Sequence, residues 1–536
     1  MSAPKTTEPM LGVMLDCSRN AVMKPEKVKQ FAFLIREMGY NTLMLYTEDT
    51  YEIDDNPYFG HMRGRYSKTE LKDLDAYCAS IGIALVPCIQ TLAHLNAMFH
   101  YPEQYDAIRD IDDVLLIGEE KTYELIDKMF STLSECFTTR TAHIGMDEAY
   151  SVGLGKYLQK HGYCDRFDII NTHLHRVCEI AKRYGFQTMI WSDMFCKLAL
   201  NSGNYYENSG DLDKIREKAD LPDDVSLVYW DYYSTDYDRY VRMLKTNQAF
   251  GRPVYFAGGA WTWRGMSPDN AFSIAATAPA LRACRDCGVD GVLMTVWGDD
   301  GAECSKFAVL PALYYTAETL RGNTDMAQIK AGFRRLTGVE FDSLLLLDRL
   351  DKPDTGAHGH NPSKYLVYND VFTGLMDSLC AEGDNAYYAR LADEIRAVQD
   401  QGNYAHLFRK YAALCDFLAV KSELGLKTRA LYASSDREGL KKIANGDYVR
   451  ALEALEAFHA AFREEWFTDN KPHGFDVQDI RLGGAMQRLK SCRERLLRYA
   501  SGELTCIPEL EEPVLPADCI PHWCRIASPN VIADIL

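Results

Sequence analysis

The sequence predicts an α/β protein, a closed (β/α)8 barrel over residues 1–322 followed by an α-helical domain over residues 323–536 that ends in an irregular tail. Three observations carry this reading. A helix-like stretch ending on glycine is followed within a few residues by a β-rich apolar run, and the pattern recurs as REMGYNTLMLYTED, CASIGIALVPC, AKRYGFQTMIWSD and CRDCGVDGVLMTVWGDD. The apolar runs do not alternate strictly, which is how strands buried on both faces read. After about Arg321 the strand-like runs stop, and Ala, Leu, Glu, Lys and Arg dominate from Met326 to Ala500.

In chain order, the runs that read as strands are Leu11–Asp16, Thr42–Thr47, Ile83–Cys88, Thr141–Met146, Gln187–Ser192, Ser226–Asp231, Pro253–Gly258 and Val289–Trp297. Gly39, Gly82, Gly185 and Gly288 suit left-handed helix caps, because glycine has no Cβ to clash at positive φ. Amphipathic segments lie between most neighbouring strands. In Pro25–Met38, Val28, Phe31, Leu34, Ile35 and Met38 share one helical face, and Pro25 suits the first turn. Eight strands alternating with helices predict barrel closure. A doubly wound sheet is disfavoured because no G-x-G-x-x-G follows the first strand. In the second half, YVRALEALEAFHAAFREEW has helical periodicity and DKPDTGAHGHNPS reads as a loop. The tail from Ser501 carries Pro508, Pro513, Pro516 and Pro521.

Composition narrows the function classes. Hydrophobic residues make up 47% and charged residues 25%, the balance of a globular protein with a large core. The net charge is −18 and the basic residues are scattered, so no phosphate-binding stripe forms and nucleic acid is not expected as a partner. MSAPKTTEPM lacks the apolar region of a signal peptide, and the longest aliphatic runs, such as Leu344–Leu347, are far too short to span a bilayer, so no membrane association is expected. Sixteen cysteines without a framework pattern read as reduced thiols of a cytoplasmic protein. Cys284-x-x-Cys287 stands alone within a helical stretch, and neither a metal nor a cofactor is expected. His173 and His175 are expected at a helix surface, and His358 and His360 in a solvated loop. A homodimer is left open.

Functional groups of such barrels collect at the C-terminal ends of the strands. Here those ends bring Asp16 and Arg19, then Glu48 and Asp49, then Gln90 and His94, then Asp147 and Glu148. They continue with Trp191, Ser192 and Asp193, with Trp230, Asp231, Tyr232 and Tyr233, with Trp261 and Trp263, and with Trp297, Asp299 and Asp300. Five of the seven tryptophans fall at this rim beside many carboxylates. Flat apolar walls with convergent acceptors suit a sugar ring. Glu48 and Asp49 are expected to meet the substrate by their position alone. Adjacent side chains on a strand alternate, so Asp147 and Glu148 are expected to serve two parts of one substrate rather than to face one anomeric carbon as acid and nucleophile.

His143-x-Gly145-x-Asp147-Glu148, closing the fourth strand, resembles the catalytic signature of family 20 glycoside hydrolases, the β-N-acetylhexosaminidases. The resemblance covers roughly Leu11 to Leu320. It implies exo-action on terminal β-linked GlcNAc and/or GalNAc by retaining, substrate-assisted catalysis through an oxazolinium intermediate. It implies Glu148 as general acid/base, with Asp147 orienting the substrate acetamido group. By the same resemblance Arg19 grips the sugar 3- and 4-hydroxyls and His94 is the pocket histidine. Trp191, Trp230, Trp261 and Trp297 form an aromatic box. Tyr232 or Tyr233 meets the acetamido oxygen, with Tyr232 preferred. Asp299, with Asp300 as competitor, stands where the family has a glutamate for the 4- and 6-hydroxyls. Ten residues before the first strand leave no room for the N-terminal α/β domain of many members, so the chain is similar to the compact branch with a helical C-terminal domain.

Three other readings stay beside this one. They are a retaining β-glycosidase with an enzyme carboxylate nucleophile such as Asp299 opposite Glu148, a non-catalytic sugar-binding barrel, and a metal-dependent barrel hydrolase. The third is disfavoured because no His-x-His closes the first strand.

Overall fold

The computed structural model describes residues 9–200, 213, 217–218, 220–356 and 358–517. Its chain divides into two compact units. The first comprises Met1–Trp261, Phe272–Gly298 and Ala312–Asp325, and the second Thr262–Ala271, Asp299–Pro311 and Met326–Leu536.

The first unit is a closed barrel of parallel strands. They are β1 (Met10–Asp16), β2 (Thr42–Thr47), β3 (Ala84–Ile89), β4 (Thr141–His143), β5 (Gln187–Trp191), β6 (Val225–Trp230), β7 (Val254–Gly259) and β8 (Gly291–Val296). Each pairs with its neighbours in sequence, and β1 closes the ring against β8 with Met14 opposite Thr295. β2 and β8 are buried along their whole length, which accounts for the unbroken apolar runs. Each fully buried Val, Leu or Met side chain contributes about 1.5–3 kcal/mol.

The predicted glycine caps hold. Gly39, Gly82, Gly185 and Gly288 have φ of 99°, 77°, 79° and 64°. Pro25–Met38 is a helix that buries Val28, Phe31, Leu34, Ile35 and Met38, with Pro25 in its first turn. The Gly39 N–H then closes that helix on the Arg36 and Ile35 carbonyls.

β4 is shorter than the sequence predicts. It stops at His143 because Gly145 and Met146 both take φ of 73° and Glu148 takes φ of 49°. Left-handed residues cannot continue a parallel ladder, so the segment carrying the two acids is a turn set on the end of the strand.

The second unit is helical, and its longest helices are Asp447–Asp469 and Phe475–Ala500. YVRALEALEAFHAAFREEW lies inside the first of these. A short helix, Pro508–Glu511, forms within the proline-rich tail. Pro521 lies outside the described residues.

Two histidine expectations are corrected. His173 is fully buried, its Nε2 2.8 Å from the Thr91 carbonyl and its Nδ1 3.3 Å from the Tyr123 hydroxyl. It faces the barrel, whereas His175, two residues on, is only partly buried beside the Asp220 carbonyl. His358 is also enclosed within the second unit, with Nδ1 2.9 Å from the Tyr365 hydroxyl and Nε2 3.1 Å from Asp384. An acid and a phenol within reach make this loop histidine part of a packed network.

Candidate active site

The C-terminal end of β4 positions the two acids. Once the backbone turns left-handed, strict alternation no longer applies, and both side chains approach one imidazole. His94 Nε2 lies 3.2 Å from Asp147 Oδ2 and 3.7 Å from Glu148 Oε2. His94 follows β3 in a left-handed conformation, φ 58°, and its N–H donates to Asp113 at 2.9 Å.

Asp147 is buried. Burial works to raise its pKa, but the His94 charge and hydrogen bonds from His94 and Gln90 outweigh it and hold the carboxyl at about 2. Burial likewise works against a charged His94, yet the Asp147 charge and hydrogen bond lift it to about 9. The two form an ion pair. Glu148 moves the other way, with burial first and the Asp147 charge second raising its pKa above the ordinary value. Asp193, after β5, accepts the Glu148 N–H at 3.0 Å, and burial with the Asp147 charge raises its own pKa to about 7.

Gln90 braces Asp147. Its Nε2 donates to Asp147 Oδ1 at 2.8 Å and to the Tyr46 hydroxyl at 3.0 Å, and its Oε1 accepts the Met146 N–H. His143 is fully buried, and its Nδ1 accepts the Gly145 N–H at 3.1 Å. Burial pushes its pKa to about 3, so it is neutral and structural.

The sites on β1, β2 and β8 adjoin one another. Asp16 caps its own turn by accepting the Ser18 and Arg19 N–H groups and reaches across to the Gly298 N–H at 2.8 Å. The Arg19 guanidinium lies 4.6 Å from the Trp297 ring centroid and 5.1 Å from that of Tyr46. Tyr46 meets Trp297 edge-on at 4.8 Å, and Trp297 lies 6.0 Å from Trp191. The Tyr46 hydroxyl donates to Glu48 at 3.2 Å, and Ser18 donates to the same carboxylate. Burial raises the Glu48 pKa against the charges of Arg19, Arg63 and His94. Arg63 pairs with Asp49 and also reaches the Ser18 carbonyl.

On β6 and β7, Trp230 stacks on Tyr232 at 5.3 Å, and Tyr232 is buried while Tyr233 is half-exposed. The Trp261 Nε1–H donates to the Tyr232 carbonyl at 3.0 Å, and Tyr233 meets the Trp261 ring edge-on at 5.3 Å. Burial raises the Tyr232 phenol well above its ordinary value, opposed by hydrogen bonds with Trp297 and Thr295. It is therefore a neutral donor throughout the working pH range.

Arg19, Glu48, His94, Asp147, Glu148, Trp191 and Trp297 are linked by these contacts around one rim, with Tyr232 joined to Trp297. Asp299 and Asp300 belong to the second unit, where the Asp300 carboxylate pairs with Lys364 at 2.8 Å and Arg481 at 3.3 Å. Sequence reasoning did not assign Arg63, Gln90, Tyr46 or Asp193. Gln90 and Asp193 stood at predicted strand ends, so their position was the signal. Arg63 sits in an irregular loop, and its pairing across fourteen residues leaves no periodic trace.

The chain matches the catalytic-domain model of glycosyl hydrolase family 20 over residues 11–242 and the glycoside hydrolase 20C C-terminal domain over residues 342–522. The chain belongs to glycoside hydrolase family 20. A probable beta-hexosaminidase of Arthroderma benhamiae is 22% identical over 266 residues, which take in 42% of this chain and 43% of that protein. An exo beta-N-acetylglucosaminidase from Vibrio harveyi, solved in complex with N-acetylglucosamine, is 17% identical with a TM-score of 0.47, over 64% of this chain and 59% of its own. A beta-N-acetylhexosaminidase from Bacteroides fragilis is 18% identical with a TM-score of 0.48, over 61% of this chain and 70% of its own. The family 20 chain thus spans less than half of the fungal relative and less than two thirds of the Vibrio enzyme. No helix among the described residues is long and apolar enough to cross a membrane, and no cluster of metal-ligating side chains occurs among them.

Proposed function

We propose that this family 20 protein is an exo-β-N-acetylhexosaminidase that removes terminal β-linked GlcNAc and/or GalNAc with retention of configuration. The observation that carries the reading is the split between adjacent acids. Asp147 is held ionised at about 2, whereas Glu148, bonded to it in sequence, is raised. A pair of carboxyls pushed apart in this way marks one acid and one charged partner.

Glu148 gives its proton to the glycosidic oxygen as the bond to C1 breaks. The acetamido oxygen of the same sugar attacks C1 and closes a cyclic oxazolinium ion. Asp147 accepts the acetamido N–H and balances the positive charge that develops there. Tyr232 donates to the acetamido oxygen and aligns it for attack. Glu148, now a carboxylate, takes a proton from water as that water attacks C1 and reopens the ring. Two inversions give net retention. Arg19 binds hydroxyls on the far side of the ring, and Trp191 and Trp297 pack against its apolar faces.

Free cysteines such as Cys17, Cys88 and Cys178 support a reducing compartment, the cytoplasm. The test is initial rates on aryl β-N-acetylglucosaminide, aryl β-N-acetylgalactosaminide and the matching β-glucoside. Cleavage of the acetamido sugars with an inert glucoside is expected. Comparable cleavage of the glucoside would assign the nucleophile to the enzyme and overturn the role of Asp147.

A further inference from the structure

We propose that Tyr150 is a positioning and specificity residue on the leaving-group side of the site, where its hydroxyl orients Glu148 and its open face receives the ring of a leaving sugar. The inference rests on the reading of Glu148 as the general acid.

The geometry starts from Glu148. The Tyr150 hydroxyl donates to Glu148 Oε1 at 3.2 Å. The other oxygen, Oε2, is the one that faces His94. A donor on Oε1 leaves Oε2 as the oxygen that carries the acidic proton, so the carboxyl presents its proton in one orientation. Tyr150 is nevertheless 47% exposed, and the Glu148 side chain is 39% exposed. A ring whose hydroxyl touches the acid and whose face is open borders the oxygen that the acid protonates. That oxygen belongs to the leaving group. An aromatic face beside a pyranose C–H face is a favourable contact.

An exposed tyrosine on a loop is ordinarily mobile, and this one is held. The Tyr150 N–H donates to the Glu148 carbonyl at 2.6 Å. Arg166 holds the carbonyls of Tyr150 and Val152. Ser151 donates to Asp112 at 2.7 Å, and Asp110 accepts the N–H groups of Gly153 at 3.0 Å and Tyr157 at 2.7 Å. Lys197 Nζ lies 4.2 Å from the Tyr150 ring centroid. Four side chains and a cation thus fix an open ring, and preorganisation of this kind serves a ligand at little ordering cost.

The proposal separates two parts of the tyrosine, and two variants test them. Tyr150→Phe keeps the ring and removes the donor, and Tyr150→Ala removes both. The readout is the ratio of kcat/KM for an aryl β-N-acetylglucosaminide to that for a β-linked N-acetylglucosamine disaccharide. The sugar leaving group needs full protonation and the aryl group needs little. The ratio is expected to rise about ten-fold in Tyr150→Phe through kcat for the disaccharide. It rises further in Tyr150→Ala through KM.

The hydroxyl also stabilises ionised Glu148, so its loss moves the basic limb of the kcat profile to higher pH. The other groups facing Glu148 are Asp147, His94, Arg19 and Asp193, and all are retained in both variants. A wild-type ratio together with an unmoved basic limb overturns the role of Tyr150. A wild-type enzyme silent on both N-acetyl substrates overturns the activity itself.

Discussion

Asp147 and His94 form a buried ion pair, with 3.2 Å between Oδ2 and Nε2, at the point where the β3 and β4 ends of the barrel meet. Their opposite pKa shifts make the pair a source of stability with a definite pH window. His94 rises to about 9 from 6.5, so its contribution is full below 6.5 and is lost as pH rises through about 9. Asp147 falls to about 2 from 3.8, so its contribution is full above 3.8 and is lost as pH falls through about 2. Tm of the wild type is expected to drop between pH 6.5 and 9.5 more steeply than Tm of His94→Gln. Parallel curves would mean that His94 carries no charge in the folded protein.

Glu148→Gln removes the proton donor and leaves the shape. Turnover of a disaccharide is expected to fall about 10²–10⁴-fold, with binding of N-acetylglucosamine retained. Asp147→Asn is expected to lower kcat by about 10²-fold or more, seen as equal losses in kcat and kcat/KM. A rise in KM alone would make Asp147 a simple binding group.

Gly145 cannot carry a side chain. Its φ is +73°, and a Cβ there would lie 2.0 Å from Gln90 Oε1 and 2.9 Å from the Ile89 carbonyl. Gly145→Ala is expected to cost about 2 kcal/mol or more of stability. It also displaces Gln90 from Asp147, so kcat on any N-acetyl substrate falls as well. Denaturant unfolding and steady-state rates on the same preparation check both. A near-wild-type midpoint would show that the β3 and β4 ends yield more easily than their contacts imply.

Arg63 is the counterion of two buried acids. Asp49 has a side chain only 2% exposed, and Glu48 lies 4.0 Å from the same guanidinium. Removing one partner strands charge in a poor solvent. Arg63→Met is expected to destabilise by about 2–3 kcal/mol, while Arg63→Lys restores part of the loss because it keeps the charge without the fork. Thermal melts of the two variants side by side give the answer, and equal melts would deny the charge its role.

The barrel was legible because its strands are buried on both faces and so form apolar runs that recur just after glycine-capped helical stretches. β2 matched residue for residue, and β1, β3, β5, β6 and β7 matched within a residue at each end. β4 was over-extended by three residues, since Ile144 and Met146 look like strand residues and only the dihedral angles reveal the turn. The acids were legible because they stand together at a strand end. Arg63 and the clamps around Tyr150 were not, because loop contacts depend on tertiary approach and follow no period. His173 was misread for a related reason. A helix wheel gives its direction but not what lies there, and the Thr91 carbonyl that receives it comes from another strand end.

The left-handed turn at the end of β4 packs Gly145, Met146, Asp147, Glu148 and Tyr150 into six consecutive positions. A single insertion or deletion within them would part the acid from its charged partner and from the tyrosine, so the length of this segment is as constrained as its residues. For anyone grafting this chemistry onto another eight-stranded barrel, the stretch is a compact cassette, but the host must also supply the groups that receive it: His94 and Gln90 for Asp147, Asp193 for the Glu148 N–H, and Arg166 for the Tyr150 carbonyl.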